Sequence, residues 1–178
     1  MDGLIEWIFG AARHSGVDAL IDWILGTKLS WFVTTYGSVW PILESLHFCS
    51  LTVLAGTVGL FDLRVLGLAK GIAPSTLHAT LPWGVGGFVV SAITGVMFIS
   101  GMPDQYFYND AFKFKVVFLL LMGLNAGLFY WREFAHLRTL GPHDDAPRSA
   151  KWVAGASLLF LVAVMYCGRM LTFYRPAF

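Results

Sequence analysis

The stretch PILESLHFCSLTVLAGTVGLFDLRVL, residues 41–66, decides the fold. It follows Tyr36-Gly37-Ser38 and carries Pro41 in its opening turn, where the missing proline N–H would have been unpaired in any helix. About 20 apolar residues in a helix cover the roughly 30 Å of a bilayer's hydrocarbon core, and this run is long enough. Three further runs reach that length: residues 78–99, stopped by Gly101-Met102-Pro103, then 111–131 and 152–173. The expectation is an all-α membrane domain over 31–178, a bundle of four transmembrane helices, which places the chain against the lipid bilayer.

Composition agrees. Of the 178 residues 57% are hydrophobic and 13% charged, about half the charged share of a soluble domain. A net charge of +1 gives no clustered basic surface, so nucleic acid is not an expected partner. Cys49 and Cys167 lie in apolar runs, where a thiol behaves as a small hydrophobe, and they carry no redox-compartment signal.

Residues 1–30 read differently. Residues 4–9 and 17–25 alternate apolar clusters with acids at helical spacing, and each carries a tryptophan, Trp7 and Trp23. That is the pattern of an amphipathic helix, or a helix pair hinged at Gly16, lying in the interface. It lacks the basic start and unbroken apolar core of a signal peptide and is expected to be retained.

Arg64, Lys70, Arg132, Arg138, Arg148 and Lys151 flank one side of the predicted spans, whereas Arg13, Lys28 and Arg175 flank the other. Counted this way, the loop cations place both termini outside the cytoplasm. Counting Lys113, Lys115 and Arg169, at helix ends on the outer side, would level the score. Trp40, Tyr106, Tyr108, Trp131, Trp152 and Tyr174 fall at the expected membrane borders. Gly84, Gly87, Ser91 and Gly95, with Ala55, Gly56 and Gly59, form small-residue strips suited to close helix packing.

Ionisable groups in a spanning helix are costly and normally face the bundle interior. Glu44 and His47 share a face one turn apart, and Asp62 lies eighteen residues beyond Glu44, five turns at 3.6 residues each. Lys115, Met122, Asn125, Phe129 and His136 step along one side of the third span. If the two stripes face each other, Glu44 and His47 approach Lys115; alternatively Lys113 and Lys115 snorkel to the headgroups.

These residues support three functional readings. The first is a redox subunit that binds b-type haem or interacts with quinone, with His47, His78, His136 and Arg169 as cofactor-binding candidates. Haem b takes two axial ligands from different helices, usually histidines. His78 and His136 belong near the cytoplasmic face; His47 near the outer face needs Met165 or Met170 as its partner. The second is copper handling, since His47, Cys49, Met97, Met102, Met165, Cys167 and Met170 map to the outer half and offer the soft ligands that suit Cu(I). Met and Cys are also common gap-fillers in apolar cores. The third is a non-catalytic accessory subunit, docked to other membrane subunits or a redox partner through the N-terminal helix. Arg169 pairs with Glu44 or binds an anionic headgroup or quinone carbonyl. No GxGxxG, Walker loop, HExxH or CxxC motif is present, which argues against a nucleotide enzyme or hydrolase and for an electron-transfer or accessory role over a stand-alone enzyme.

The run from Leu46-His47 to Phe61-Asp62-Leu63-Arg64-Val65-Leu66-Gly67 resembles a family of uncharacterised bacterial four-helix inner-membrane proteins, as do Thr94-Gly95 and Ala111-Phe112-Lys113-Phe114-Lys115 with Asn125 downstream. The resemblance covers residues 38–135. The lysine, apolar run and asparagine of the third span are also distantly similar to CopD-type copper-resistance membrane proteins. The resemblance implies a compact bundle in a bacterial inner membrane, associated with electron transfer or metal handling, and it supplies no catalytic residues.

Overall fold

The structure, a computed structural model, describes residues 16–173. Residues 4–9 with Trp7, then Arg13 and His14, and at the other end Tyr174 and Arg175, lie outside the described residues. Among the described residues every regular element is helical. Residues 16–25 form α1, then come α2 (Lys28–Thr35), α3 (Val39–Leu66), α4 (Pro74–His78), α5 (Leu81–Gly101), α6 (Pro103–Phe107) and α7 (Asp110–Leu128). A π-helical segment, Phe129–Glu133, leads into α8 (Phe134–Leu137), and α9 (Arg148–Met170) completes the chain.

Four segments are long and apolar enough to cross a membrane: Val39–Leu66, Pro74–Gly101, Asp110–Leu137 and Arg148–Met170. The shortest has 23 residues, which at 1.5 Å per residue rises about 35 Å, enough to span. The expected four-helix membrane bundle is therefore the observed architecture, and its outward side chains are suited to lipid: Trp83, Leu124, Trp131 and Trp152 are all exposed.

Local signals set the boundaries. The second span has a separate opening turn, α4, because Pro74 starts one helix and Pro82 stands in the first turn of the next. α3 ends on Gly67 at φ 100°, whose N–H bonds Arg64 O while the Leu68 N–H bonds Leu63 O. That left-handed closure is what glycine permits. Asn109 caps α7 by accepting the Ala111 N–H at 2.9 Å and donates from its amide to Leu171 O at 3.2 Å. α2 is an element that hydropathy alone did not foretell. Thr27 caps it by accepting the Ser30 N–H at 3.2 Å, and it packs on α5, burying Ser30 and Val33.

α3 is the shared helix. α5 packs on one of its sides and α9 on another, and α7 packs on α9. No comparable seam joins α5 to α7, so the bundle is open there, with α6 linking the two helices at one end, labelled outer, opposite the end labelled inner that carries the 67–73 and 138–147 connections. The small-residue strip of α5 lies on α3: a Cβ at Gly87 would stand 2.6 Å from Ser50 O, and one at Gly84 would meet the Thr57 side chain. Gly95 and Gly56 face open space, and Gly59 turns toward Leu158 of α9. The expected close approach is thus confined to one stretch of one seam.

At the inner end the two loops are tied together by Arg64, which has no solvent exposure. Its Nε donates to Ile72 O, and its Nη2 to Gly141 O at 3.1 Å and Asp144 O at 3.2 Å. The His143 N–H adds a bond to Lys70 O at 2.7 Å, and Asp145 receives Lys70 at 2.8 Å and Lys151 at 3.3 Å.

Two outcomes are expected. Gly87→Leu forces α5 off α3 and destabilises the detergent-solubilised protein by about 1–3 kcal/mol, as overpacking does, read by chemical denaturation, whereas Gly86→Leu, facing open space, leaves stability near wild type. The Lys70 and Lys151 ammonium groups hold the Asp145 carboxyl below its ordinary value of 3.8. Its stabilisation is therefore present above that value and lost as pH falls below it, so Asp145→Asn flattens the acid side of the stability profile and leaves its neutral-to-alkaline shape unchanged.

Candidate functional site

His47 lies on the stripe of α3 that α5 covers, with Ser50, Leu54 and Thr57 at steps of three, four and three residues. Its Nδ1 sits 2.7 Å from Thr94 Oγ1 and 3.5 Å from Ser91 Oγ, and its ring meets Phe98 edge-on at 5.5 Å between centroids. Thr94 Oγ1 also lies 2.9 Å from Val90 O and 3.1 Å from Ser91 O, the back-bonding geometry of a helical threonine. With its single proton directed to that backbone, the hydroxyl acts toward His47 as an acceptor. The pattern assigns the ring proton to Nδ1 and leaves Nε2 an acceptor.

Lys115 of α7 comes near this site: it acts electrostatically on His47, and a Cβ on Gly168 of α9 would lie 3.6 Å from its Nζ. Lys115 has no ion-pair partner among the described residues. Lys113, two residues earlier, is exposed and paired with Asp110 at 2.7 Å, so one of the two lysines goes to the interface and the other into the bundle. Glu44 is exposed and accepts from Trp40 Nε1 at 3.2 Å. Tyr106, just outside the span, has its phenol pushed up to about 12 by burial and then by the Glu44 carboxylate.

The two expected stripes do not meet face to face. α7 packs on α9, and α3 divides its polar residues between neighbours: His47 turns to α5, whereas Asp62, 5% exposed, turns to Ser157 of α9. Fifteen residues separate them, about 60° beyond four whole turns. Asn125 also serves α9, donating to Val153 O at 3.0 Å. His136 leaves the Lys115 stripe because the π-helical segment 129–133 adds a residue to the turn before it and rotates α8 relative to α7. Sequence periodicity carries no trace of such an insertion.

The inner end holds the other histidines. His78 stacks on Phe134 at 4.4 Å, meets Phe61 at 6.1 Å, and its Nε2 lies 3.4 Å from the Tyr130 hydroxyl. It lines a cleft of about 170 Å³ with Phe61, Pro74, Ser75, Phe134, Leu137 and Arg138. His136 is exposed and does not line that cleft. Glu133, buried in the π segment, accepts from Ser149 Oγ at 3.0 Å; an acid beside Trp131-Arg132 was its only sequence signal.

Arg169 is placed over the Phe173 ring at 5.4 Å and forms no ion pair with Glu44. Met165 is 43% exposed, Met170 half-buried, Cys49 exposed and Cys167 buried. Among the described residues no three His, Cys, Asp or Glu side chains converge as metal ligands do. Thr94→Val removes the His47 acceptor at constant shape and is expected to cost about 0.5–1.5 kcal/mol, whereas Thr94→Ser retains it; thermal unfolding in one detergent compares the two.

Comparison with curated proteins and with solved structures finds no match. A family model does match, over residues 20–174, which takes in all four spans and leaves out most of the N-terminal segment. The chain belongs to that family, DUF6644, a family of unknown function.

Proposed function

We propose that this protein is a membrane redox subunit that binds a quinone or quinol headgroup at the outer end of its bundle, among α3, α5, α7 and α9. The observation that carries the reading is Lys115: an ammonium group within a spanning segment, beside His47, with no acidic partner among the described residues. A cation at membrane depth normally has a partner, and a ligand supplies one. Lys115 offers donors and His47 Nε2 an acceptor. That pair complements a quinone–quinol headgroup, whose carbonyl accepts and whose hydroxyl donates. The open side between α5 and α7 gives a long-tailed quinone lateral access from the bilayer.

Haem is the second form of the same redox reading. His47 has the arrangement of a metal-ligating histidine, with its other ring nitrogen hydrogen-bonded, and serves in that case as an axial ligand; Met165 and Met170 are the candidates for the sixth position. A copper reading draws on His47, Cys167, Met165 and Met170, whose imidazole, thiol and thioether groups suit Cu(I). An accessory role is supported by α1, where Asp18 accepts from the Tyr108 hydroxyl while Trp23 stays 69% exposed, a free aromatic surface for another membrane subunit or redox partner. The loop cations grouped around the Arg64 end support termini on the non-cytoplasmic side, and the resemblance noted in the sequence supports a bacterial inner membrane.

The test is equilibrium binding of a short-chain ubiquinone analogue to the protein in lipid nanodiscs. Saturable binding that weakens about tenfold or more in Lys115→Met, the loss of a charge-assisted hydrogen bond, at unchanged thermal stability supports the reading. Absence of saturable binding to the wild type overturns it. A dithionite-reduced minus oxidised spectrum with a b-type α-band that His47→Leu removes moves the site to haem.

A further inference from the structure

The cleft at the inner end is separate from the His47–Lys115 site and has a different chemistry. Its floor is apolar: Phe61 and Leu137 are 4% and 1% exposed, and Pro74 and Phe134 close the sides. Its rim is polar, with Ser75, His78 and Arg138. The rim stands at a membrane border, because α4 opens the second span at Pro74 and Leu137 ends the third. Arg138 is exposed and has no acidic partner among the described residues. The nearby acids are otherwise engaged: Asp145 with Lys70 and Lys151, Asp144 with the Gly141 N–H at 2.8 Å, and Glu133 with Ser149.

We infer that this cleft is a binding site for the headgroup of an acidic phospholipid, its phosphate held by Arg138 with Ser75 and His78 as hydrogen-bond partners. Charge complementarity selects the occupant: an unpaired guanidinium at the membrane border recognises phosphate, as basic pockets between spanning helices do. Size limits it. About 170 Å³ is well below the roughly 300–1,000 Å³ of a pocket that swallows a whole ligand, so the cleft admits a headgroup while the acyl chains stay in the bilayer. The aromatic wall of Phe61, His78 and Phe134 gives the glycerol and upper chain an apolar surface.

The experiment is native mass spectrometry of the whole chain released from nanodiscs of phosphatidylcholine mixed equally with phosphatidylglycerol. The expected result is one retained phosphatidylglycerol per protein, reduced about tenfold or more in Arg138→Glu, since the reversal removes the cation and sets an anion against the phosphate. Arg138→Lys is expected to keep most of the retention. Ser75→Phe, which fills the mouth without changing charge, should abolish it, and covers the case in which Arg138→Glu does not fold. Equal retention of the zwitterionic lipid overturns the proposal, as does retention unchanged in both Arg138→Glu and Ser75→Phe. Displacement of the lipid by millimolar inorganic phosphate identifies a free-anion site and overturns the lipid assignment.

Discussion

The Arg64 guanidinium fixes the inner half of this molecule. It is fully buried, and it donates to carbonyls in both connections on that side, Ile72 in one and Gly141 and Asp144 in the other. Irregular backbone at a membrane border needs partners for its carbonyls, and one side chain at the end of α3 supplies three. The starts of α4 and α9 are thereby referred to the same point on α3. Among the described residues its Nη1 and Asp62 Oδ2 are buried without a hydrogen-bond partner.

The bundle is asymmetric. α3 gives one stripe to α5 through Ser50, Leu54 and Thr57, and another to α9 through Gly59 and Asp62. α7 is held chiefly by α9 among the long helices, through contacts such as Asn125 with Val153 O, and by its π-helical end, where Phe129 packs on Phe61. Lys115 is half-buried, with its ammonium group beside Gly168 of α9 and acting on His47 of α3.

Much of this was legible in the sequence, for a physical reason. The spans are dictated by the length of the hydrocarbon core, so runs of about 20 apolar residues mark out the four long helices. That His47 and Lys115 lie within spanning segments was legible too, and ionisable groups at depth are expensive. Pairing was not. Helix order around the bundle depends on which small residues meet, and Gly87 and Gly95 look alike in sequence although a Cβ at the first would meet Ser50 O and one at the second open space. The π-helical insertion at 129–133 broke the periodicity that tied His136 to Lys115. Arg64 counted as a loop cation for orientation, whereas its charge is spent on backbone carbonyls. α2 was missed because eight residues of mixed polarity give a weak periodic signal, and only the Thr27 cap and its packing on α5 define it.

The proposed ligand site of Lys115 and His47, reached from the lipid between α5 and α7, is tested most directly by photolabelling. An azido-quinone is activated in native-like membranes, and the labelled peptides are mapped. The site predicts label concentrated on outer-half peptides that contain His47, Ser91 to Thr94 or Lys115, competed away by unlabelled quinone and lost in Lys115→Met. Label spread over lipid-facing positions such as Leu124 and Trp152 without competition, or confined to the inner end around His78, would contradict it.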